Sequence, residues 1–162
     1  MNTFQIRQLN EGYRDWAIHL VEEHWGSSKI VSRGRIHYVE KLPGFVAVQQ
    51  DKPVGLTTYQ IHGEECEIVT INSLIERTGI GSALLDAVRT AAVSARCKRL
   101  WLITTNDNTP ALRFYQKRGF RLVAVHRNAI ERSRQLKPEI PLVGLDGIPL
   151  QDEIELEMLL SS

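Results

Sequence analysis

"ERTGIGSALLDAVR", residues 76 to 89, sets two glycines one residue apart immediately before a run that reads as a helix. A helix start ordinarily carries Ser, Thr, Asp or Asn, whose side chains satisfy the bare N–H groups of the first turn. Gly79 and Gly81 leave those groups open and allow something to approach the backbone closely. From about Gly81 to Ala95 the apolar positions Leu84, Leu85, Val88, Ala91, Ala92 and Ala95 form one stripe at helical spacing. Ahead of the glycines, "CEIVTINSL" (66–74) reads as a largely buried strand, and behind the helix "RLWLITT" (99–105) reads as the next. A glycine turn between a buried strand and a helix N-terminus joins unpaired N–H groups to the positive end of the helix dipole. That is an anion cradle, suited to a phosphate or pyrophosphate.

Outward from this unit, "FQIRQL" (4–9) alternates like a half-buried strand, and "EGYRDWAIHLVEEHW" (11–25) has the spacing of an amphipathic helix. "GFVAVQQ" and "VGLTTYQ" flank "DKP", which predicts a hairpin over residues 44–60. "NTPALRFYQKRG" places Pro110 where proline favours a first helical turn and Gly119 where glycine ends one. Phe120 to His126 and Glu153 to Leu160 complete the strands. The order predicts an α+β fold on one mixed, mostly antiparallel sheet flanked by helices, with a parallel crossover at its centre. No repeat or linker divides it, so residues 1–162 read as a single domain.

The chain has 162 residues, 43% hydrophobic and 24% charged, which is the composition of one globular domain. A net charge of +1 with interleaved signs offers no basic stripe, which argues against a nucleic-acid partner. No signal peptide and no bilayer-spanning stretch is legible, so a cytoplasmic location is the expectation and no membrane partner is implied. Cys66 and Cys97 lack metal or redox spacing and read as packed free thiols, a functional thiol being the alternative; no metal is expected.

Three phosphate motifs compete for the cradle. A dinucleotide fingerprint needs a third glycine where Leu84 stands and an acidic residue about twenty positions on, and a P-loop needs a lysine after Gly81, where Ser82 follows. What survives is a strong resemblance of Glu67 to Phe120 to the GNAT superfamily of N-acetyltransferases. Glu76-Arg77-Thr78-Gly79-Ile80-Gly81 resembles that family's Arg/Gln-x-x-Gly-x-Gly/Ala loop. Glu76 stands where the family usually has Gln or Arg, with Arg77 beside it to contribute charge. The family's Asn-x-x-Ala-x-x-x-Tyr-x-x-x-Gly-Phe is matched in full by Asn108, Ala111, Tyr115, Gly119 and Phe120.

The resemblance implies acetyl-CoA as cosubstrate in a gap between the two central strands, 67–74 and 100–105. Its pyrophosphate would lie on residues 77–82, namely Arg77, Thr78, Gly79, Ile80, Gly81 and Ser82. Backbone N–H groups near Asn72, Ser73 and Leu74 would face the thioester carbonyl. Asn108 would contact the pantetheine arm, and Tyr115 would bind there too and protonate the departing thiolate. The acceptor would be a primary amine of a small molecule or peptide, attacking directly in a ternary complex. Glu67 is the base that the resemblance implies, the other reading being a solvated strand-end charge beside Glu64 and Glu65; His126 is an alternative base or a structural histidine. His19 and His24 would help to close the core or an acceptor cleft.

Residues 127–149 are unlike the short hairpin that commonly joins the family's last two strands: they begin as helix and turn Pro/Gly-rich. A lid over the acceptor, a homodimer contact and a surface wrap all remain open for them. If they shape the acceptor site, Arg132 and Arg134 would suit an acidic acceptor. A non-catalytic acyl-CoA-binding or sensing module is the alternative function, and a nucleotide-binding regulator is disfavoured by the missing lysine and carboxylate.

Overall fold

The computed structural model describes residues 3 to 160; residues 1, 2, 161 and 162, which the single-domain reading includes, lie outside the described residues. Chain order is β1 (Gln5–Gln8), α1 (Glu11–Trp25), β2 (Lys29–Ser32), β3 (Arg35–Tyr38), β4 (Gly44–Gln49), β5 (Lys52–His62) and β6 (Glu65–Ser73). Then follow α2 (Ile80–Ser94), β7 (Arg99–Thr105), α3 (Thr109–Lys117), β8 (Arg121–His126), α4 (Ala129–Leu136) and β9 (Glu153–Leu159). Seven strands make one sheet in the order β1-β4-β5-β6-β7-β9-β8, while β2 and β3 form a separate ribbon. Only β6 and β7 run parallel among the paired strands, as the strand–helix–strand crossover requires.

Helix α1 is capped by the Asn10 side chain, which accepts from Gly12 N at 2.9 Å, and ends on Gly26 at φ 81°. It lays Ala17, Leu20 and Val21 on Val46, Leu56 and Val69, covering one face of the first strands. The other face packs α2 and α3 on Ile68, Leu100, Leu102 and Leu156. Ala95, expected at the end of the α2 stripe, is instead an exposed C-cap residue.

The site depends on how β6 meets its neighbours. Thr58 pairs with Thr70 and Tyr59 with Ile68, so Val69 is an extra residue, a β-bulge. Pairing of β6 with β7 runs from Glu65–Arg99 to Ile68–Leu102 and stops there. A bulge bends and twists its strand. Beyond it, β6 leaves β7, and a gap opens at the C-terminal end of both strands.

Two expectations shift. The first hairpin turns on Gln50 and Asp51, at φ 51° and 61°, and Lys52 and Pro53 of the expected "DKP" turn belong to β5. Residues 29–38, unassigned from sequence, form the β2–β3 ribbon.

Residues 127–149 are an ordered structure pinned at several points. Arg134 donates to the carbonyls of Ile140, Pro141 and Leu150 at 3.2, 2.7 and 2.7 Å. Lys137 Nζ donates to Lys29 O and Lys29 Nζ to Leu136 O, both at 2.6 Å, which ties α4 to β2. The short 3-10 turn Leu145–Gly147 docks through Leu145 N on Asp107 Oδ2 at 2.9 Å. A Cβ at Gly144 would lie 2.0 Å from that same Oδ2. Gly144→Ala is therefore expected to cost about 1–3 kcal/mol, read as a Tm lower by roughly 2–4 °C per kcal/mol in a thermal melt.

Candidate active site

The loop from Leu74 to α2 supplies the anion cradle. Leu74 N bonds to Val54 O at 2.8 Å and Ala83 N to Gly79 O at 3.0 Å, but no backbone N–H from residues 76 to 82 donates to an acceptor among the described residues. Gly79 sits at φ 82°, and nothing stands within 4 Å of where its Cβ would be. Exposed Arg77, at φ 60°, adds a cation at the rim. The Thr78 hydroxyl is spent on Ile75 O at 2.8 Å, and Ile80 is buried, so each offers only backbone.

Gly81 also meets a packing constraint. Its Cβ would meet the Phe114 ring at 3.2 Å, so the close approach there is made by α3. Arg118 reinforces that contact: it stacks 3.7 Å over Phe114 and donates to Ser82 Oγ at 2.8 Å, which brings a second cation to the α2 N-terminus. The Ser82 side chain is committed to this tether.

Of the three expected N–H groups at residues 72 to 74, only one faces the gap. Leu74 N–H is taken by β5, and the alternation of an antiparallel ladder turns Asn72 the same way. Ser73 N–H points into the gap, with Ile71 N–H as the next in that direction. Asn108 accepts from Ala111 N at 3.2 Å as the N-cap of α3, which leaves its amide NH2 for another partner.

Tyr115, 5% exposed, packs edge-on to Phe114 and Phe120 at 5.1 and 5.4 Å, in the same cluster as Ile68 and Leu102, the last paired residues. Its hydroxyl has no hydrogen bond among the described residues. Burial pushes the phenol well above its ordinary range, so it holds its proton at neutral pH.

Glu67 lies on the opposite face, because its neighbours Cys66 and Ile68 point into the α2–α3 core. It is 5% exposed, which overturns the solvated strand-end reading; Glu64 and Glu65 beside it pair with Lys98 and Arg99. Glu67 accepts from Ser32 Oγ at 2.7 Å, and His37 Nε2 stands 3.4 Å from its other oxygen without closing a hydrogen bond. Next to them, Glu153 is 2% exposed; one oxygen faces Arg33 N at 3.4 Å and the other has no hydrogen-bond partner among the described residues. An acid and a carboxylate thus flank the parting point from opposite faces of the sheet.

The sequence pattern of the Acetyltransferase (GNAT) family matches residues 7–120. The chain belongs to the GNAT family of acetyltransferases. It is 47% identical over 133 residues to the uncharacterized protein YdhI of Bacillus subtilis, covering 82% of this chain and 83% of that one. Its fold is that of an IAA acetyltransferase from Bacillus cereus (TM-score 0.75, 23% identity, covering 98% and 100% of the two chains). It is also that of a GNAT acetyltransferase from Elizabethkingia anophelis with acetyl-CoA bound (TM-score 0.70, 22% identity, 97% and 98%).

Several expected residues of this GNAT chain have structural duties. His126, on β8 and three strands from the β6 strand of Glu67, has its Nε2 2.9 Å from Oε1 of Glu155 on β9. His19 and His24 are exposed and bond carbonyls of their own helix, Asp15 O and Leu20 O, so neither closes a core or cleft. Arg134 holds the 127–149 segment together and is not free for an acceptor. Cys66 and Cys97 are buried free thiols, and burial pushes Cys66 up to about 12, away from reactivity.

Ser32, His37 and Glu153 were not singled out from sequence. "KIVSRGRIHY" (29–38) did carry a signal, two alternating runs around Arg-Gly, and Arg33 and Gly34 adopt φ 50° and 74° as a two-residue hairpin turn requires. Glu153 carried none, since alternation with Ile154 reads as a solvated face.

Burial raises the Glu153 carboxyl pKa, outweighing the Arg33 N–H and the charges of Arg33 and His126, with Glu67 adding to the rise. A folded pKa above the unfolded one means that the neutral acid's contribution is complete below about 4.3 and is lost as pH rises through the folded value. Glu153→Gln keeps the acceptor for Arg33 N–H and cannot ionise. Its Tm is expected to exceed the parent's by a margin that widens from pH 5 to pH 8; a margin independent of pH would show that the buried carboxylate carries no such cost.

Proposed function

We propose that this GNAT protein is an N-acetyltransferase that moves the acetyl group of acetyl-CoA to a primary amine by direct attack in a ternary complex. The observation that carries the reading is the gap beyond Ile68 and Leu102, opening beside a run of unpaired N–H groups at the start of α2. Those donors suit a pyrophosphate, with Arg77 and Arg118 adding charge at its edges. The Elizabethkingia protein of the same fold holds acetyl-CoA, which supports the assignment of the ligand.

Acetyl-CoA would supply the electrophilic thioester carbonyl. Asn108, the N-cap of α3 with its amide NH2 unspent, would meet the pantetheine arm, and Ser73 N–H would stabilise charge on the carbonyl oxygen. An ammonium has no lone pair, so Glu67 takes a proton from it before the neutral nitrogen attacks and the C–N bond forms. Tyr115 gives its proton to sulfur as the C–S bond breaks. Positioning of both reactants is the larger contribution, about 7–11 kcal/mol in favourable cases.

Acetyl-CoA at about a hundred times its Kd is expected to stabilise the protein by about 2.7 kcal/mol, seen as a rise in Tm. Gly79→Val would force a branched residue to positive φ and fill the open side of the cradle, weakening acetyl-CoA binding by about tenfold or more. Unchanged affinity in a folded Gly79→Val protein would remove the cradle from the assignment.

Tyr115→Phe deletes a hydroxyl without a partner, so stability should hold while turnover falls by up to about 10² and acetyl-CoA binding stays within a few fold. The measurement is CoA release across a panel of amines under conditions where chemistry limits the rate. Full turnover would assign the protonation to water.

A further inference from the structure

Glu67, Glu153 and Asn72 put buried side-chain oxygens on the face that α2 and α3 do not cover. Residues Cys66, Ile68, Leu100, Leu102 and Leu156 point into the α2–α3 core. Strand alternation therefore sends Glu67, Trp101, Ile103 and the β9 residues Glu153, Glu155 and Glu157 the other way. Asn72, paired with the α1-facing Leu56, joins them, and its Oδ1 is buried without a partner. The unpartnered Glu153 oxygen is a second orphan. These two are acceptors, and His37 Nε2 beside Glu67 is a third atom without a hydrogen bond among the described residues; carboxylate and amide oxygens left open ask for a donor.

The charges on this face are unequally spent. Arg99 is divided among Glu65, Glu155 and Glu157, and His126 pairs with Glu155. Glu67 has only His37 beside it, and neither exposed Arg33 nor His126 comes within ion-pair distance of Glu153 among the described residues. Both carboxylates are instead held by consecutive residues of one hairpin tip, Glu67 by the Ser32 hydroxyl and Glu153 by the Arg33 N–H. Their head groups are thus neighbours over β7, where half-buried Trp101 and Ile103 give an apolar floor between them.

Resting on the acetyltransferase reading above, we propose that the acceptor is an aliphatic amine with a second ammonium group, a diamine or polyamine. Glu67 meets the reacting nitrogen, Glu153 holds the distal one, and the hydrocarbon lies on Trp101 and Ile103. The two ammonium groups replace the Ser32 and Arg33 donors. An acidic acceptor, which Arg132 and Arg134 had suggested, would meet two buried carboxylates.

The test compares 1,4-diaminobutane, butylamine and 4-aminobutanoate on the parent protein, by calorimetric binding and by acetyl transfer. The diamine is expected to exceed butylamine in kcat/KM by about tenfold or more, with 4-aminobutanoate lowest, as one charge-assisted hydrogen bond implies. Glu153→Gln should reduce the diamine-to-butylamine ratio by about the same factor. The parent ranking carries the inference alone if that variant does not fold. Acetylation of butylamine or 4-aminobutanoate as efficiently as the diamine would overturn the inference and leave acetyl transfer standing. Selective diamine binding without transfer to any amine would uphold the cation site and overturn the transfer reading. Absence of diamine binding would overturn the inference whatever the turnover.

Discussion

The parallel ladder between β6 and β7 is made and then broken, and both halves of that event matter. Four residue pairs, from Glu65–Arg99 to Ile68–Leu102, are clamped by an apolar cluster that includes Leu85, Val88 and Tyr115. One residue further, the Val69 bulge turns β6 toward β5, where the Thr58 and Thr70 hydroxyls stand 2.7 Å apart and fix the new register. Backbone groups that would have paired across the centre of the sheet face open space. A sheet rarely leaves such groups unsatisfied in its middle, and that is why the proposed acetyl-CoA site is put at the gap.

The two faces of the sheet divide the chemistry. On the α2–α3 side Tyr115 packs among apolar side chains, and its phenol keeps its proton because a phenolate could not be solvated there. The other side is polar and acidic. Burial pushes Glu155 up, yet hydrogen bonds from His126 and Arg99 outweigh it and hold its carboxyl below the usual range. Glu153, lacking such partners, goes the other way. Two glutamates two residues apart on one strand are thus given opposite characters by what faces them.

The 127–149 segment and the β2–β3 ribbon brace each other over that acidic face. The joint is made by Lys137, which donates to the Lys29 carbonyl, and by Lys29, which donates to the Leu136 carbonyl. Lys137 is buried, and burial lowers its pKa, an outlay that the joint must offset. The ribbon tip then delivers Ser32 and Arg33 to the two carboxylates. Long connections that would otherwise be loose therefore set the shape of the side of the gap opposite Tyr115.

What the sequence determined by itself is local and periodic. The strand, glycine turn and helix around Gly79, the cap signals of α3 at Pro110 and Gly119, and the apolar stripes that sort α1 and α2 to the sheet are all written within a few turns of chain. From these the mixed sheet and its crossover follow. Tertiary structure decided what depends on residues far apart. Spacing alone left Glu67 open between a base and a solvated strand-end charge, and a ribbon 35 residues away covers it with Ser32. Glu153 carried no local sign of its burial, and the side of Gly81 that a Cβ would fill belongs to Phe114. Periodicity records which face of an element a residue occupies. Burial of a charge depends on what comes to lie over that face, and only the assembled chain fixes that.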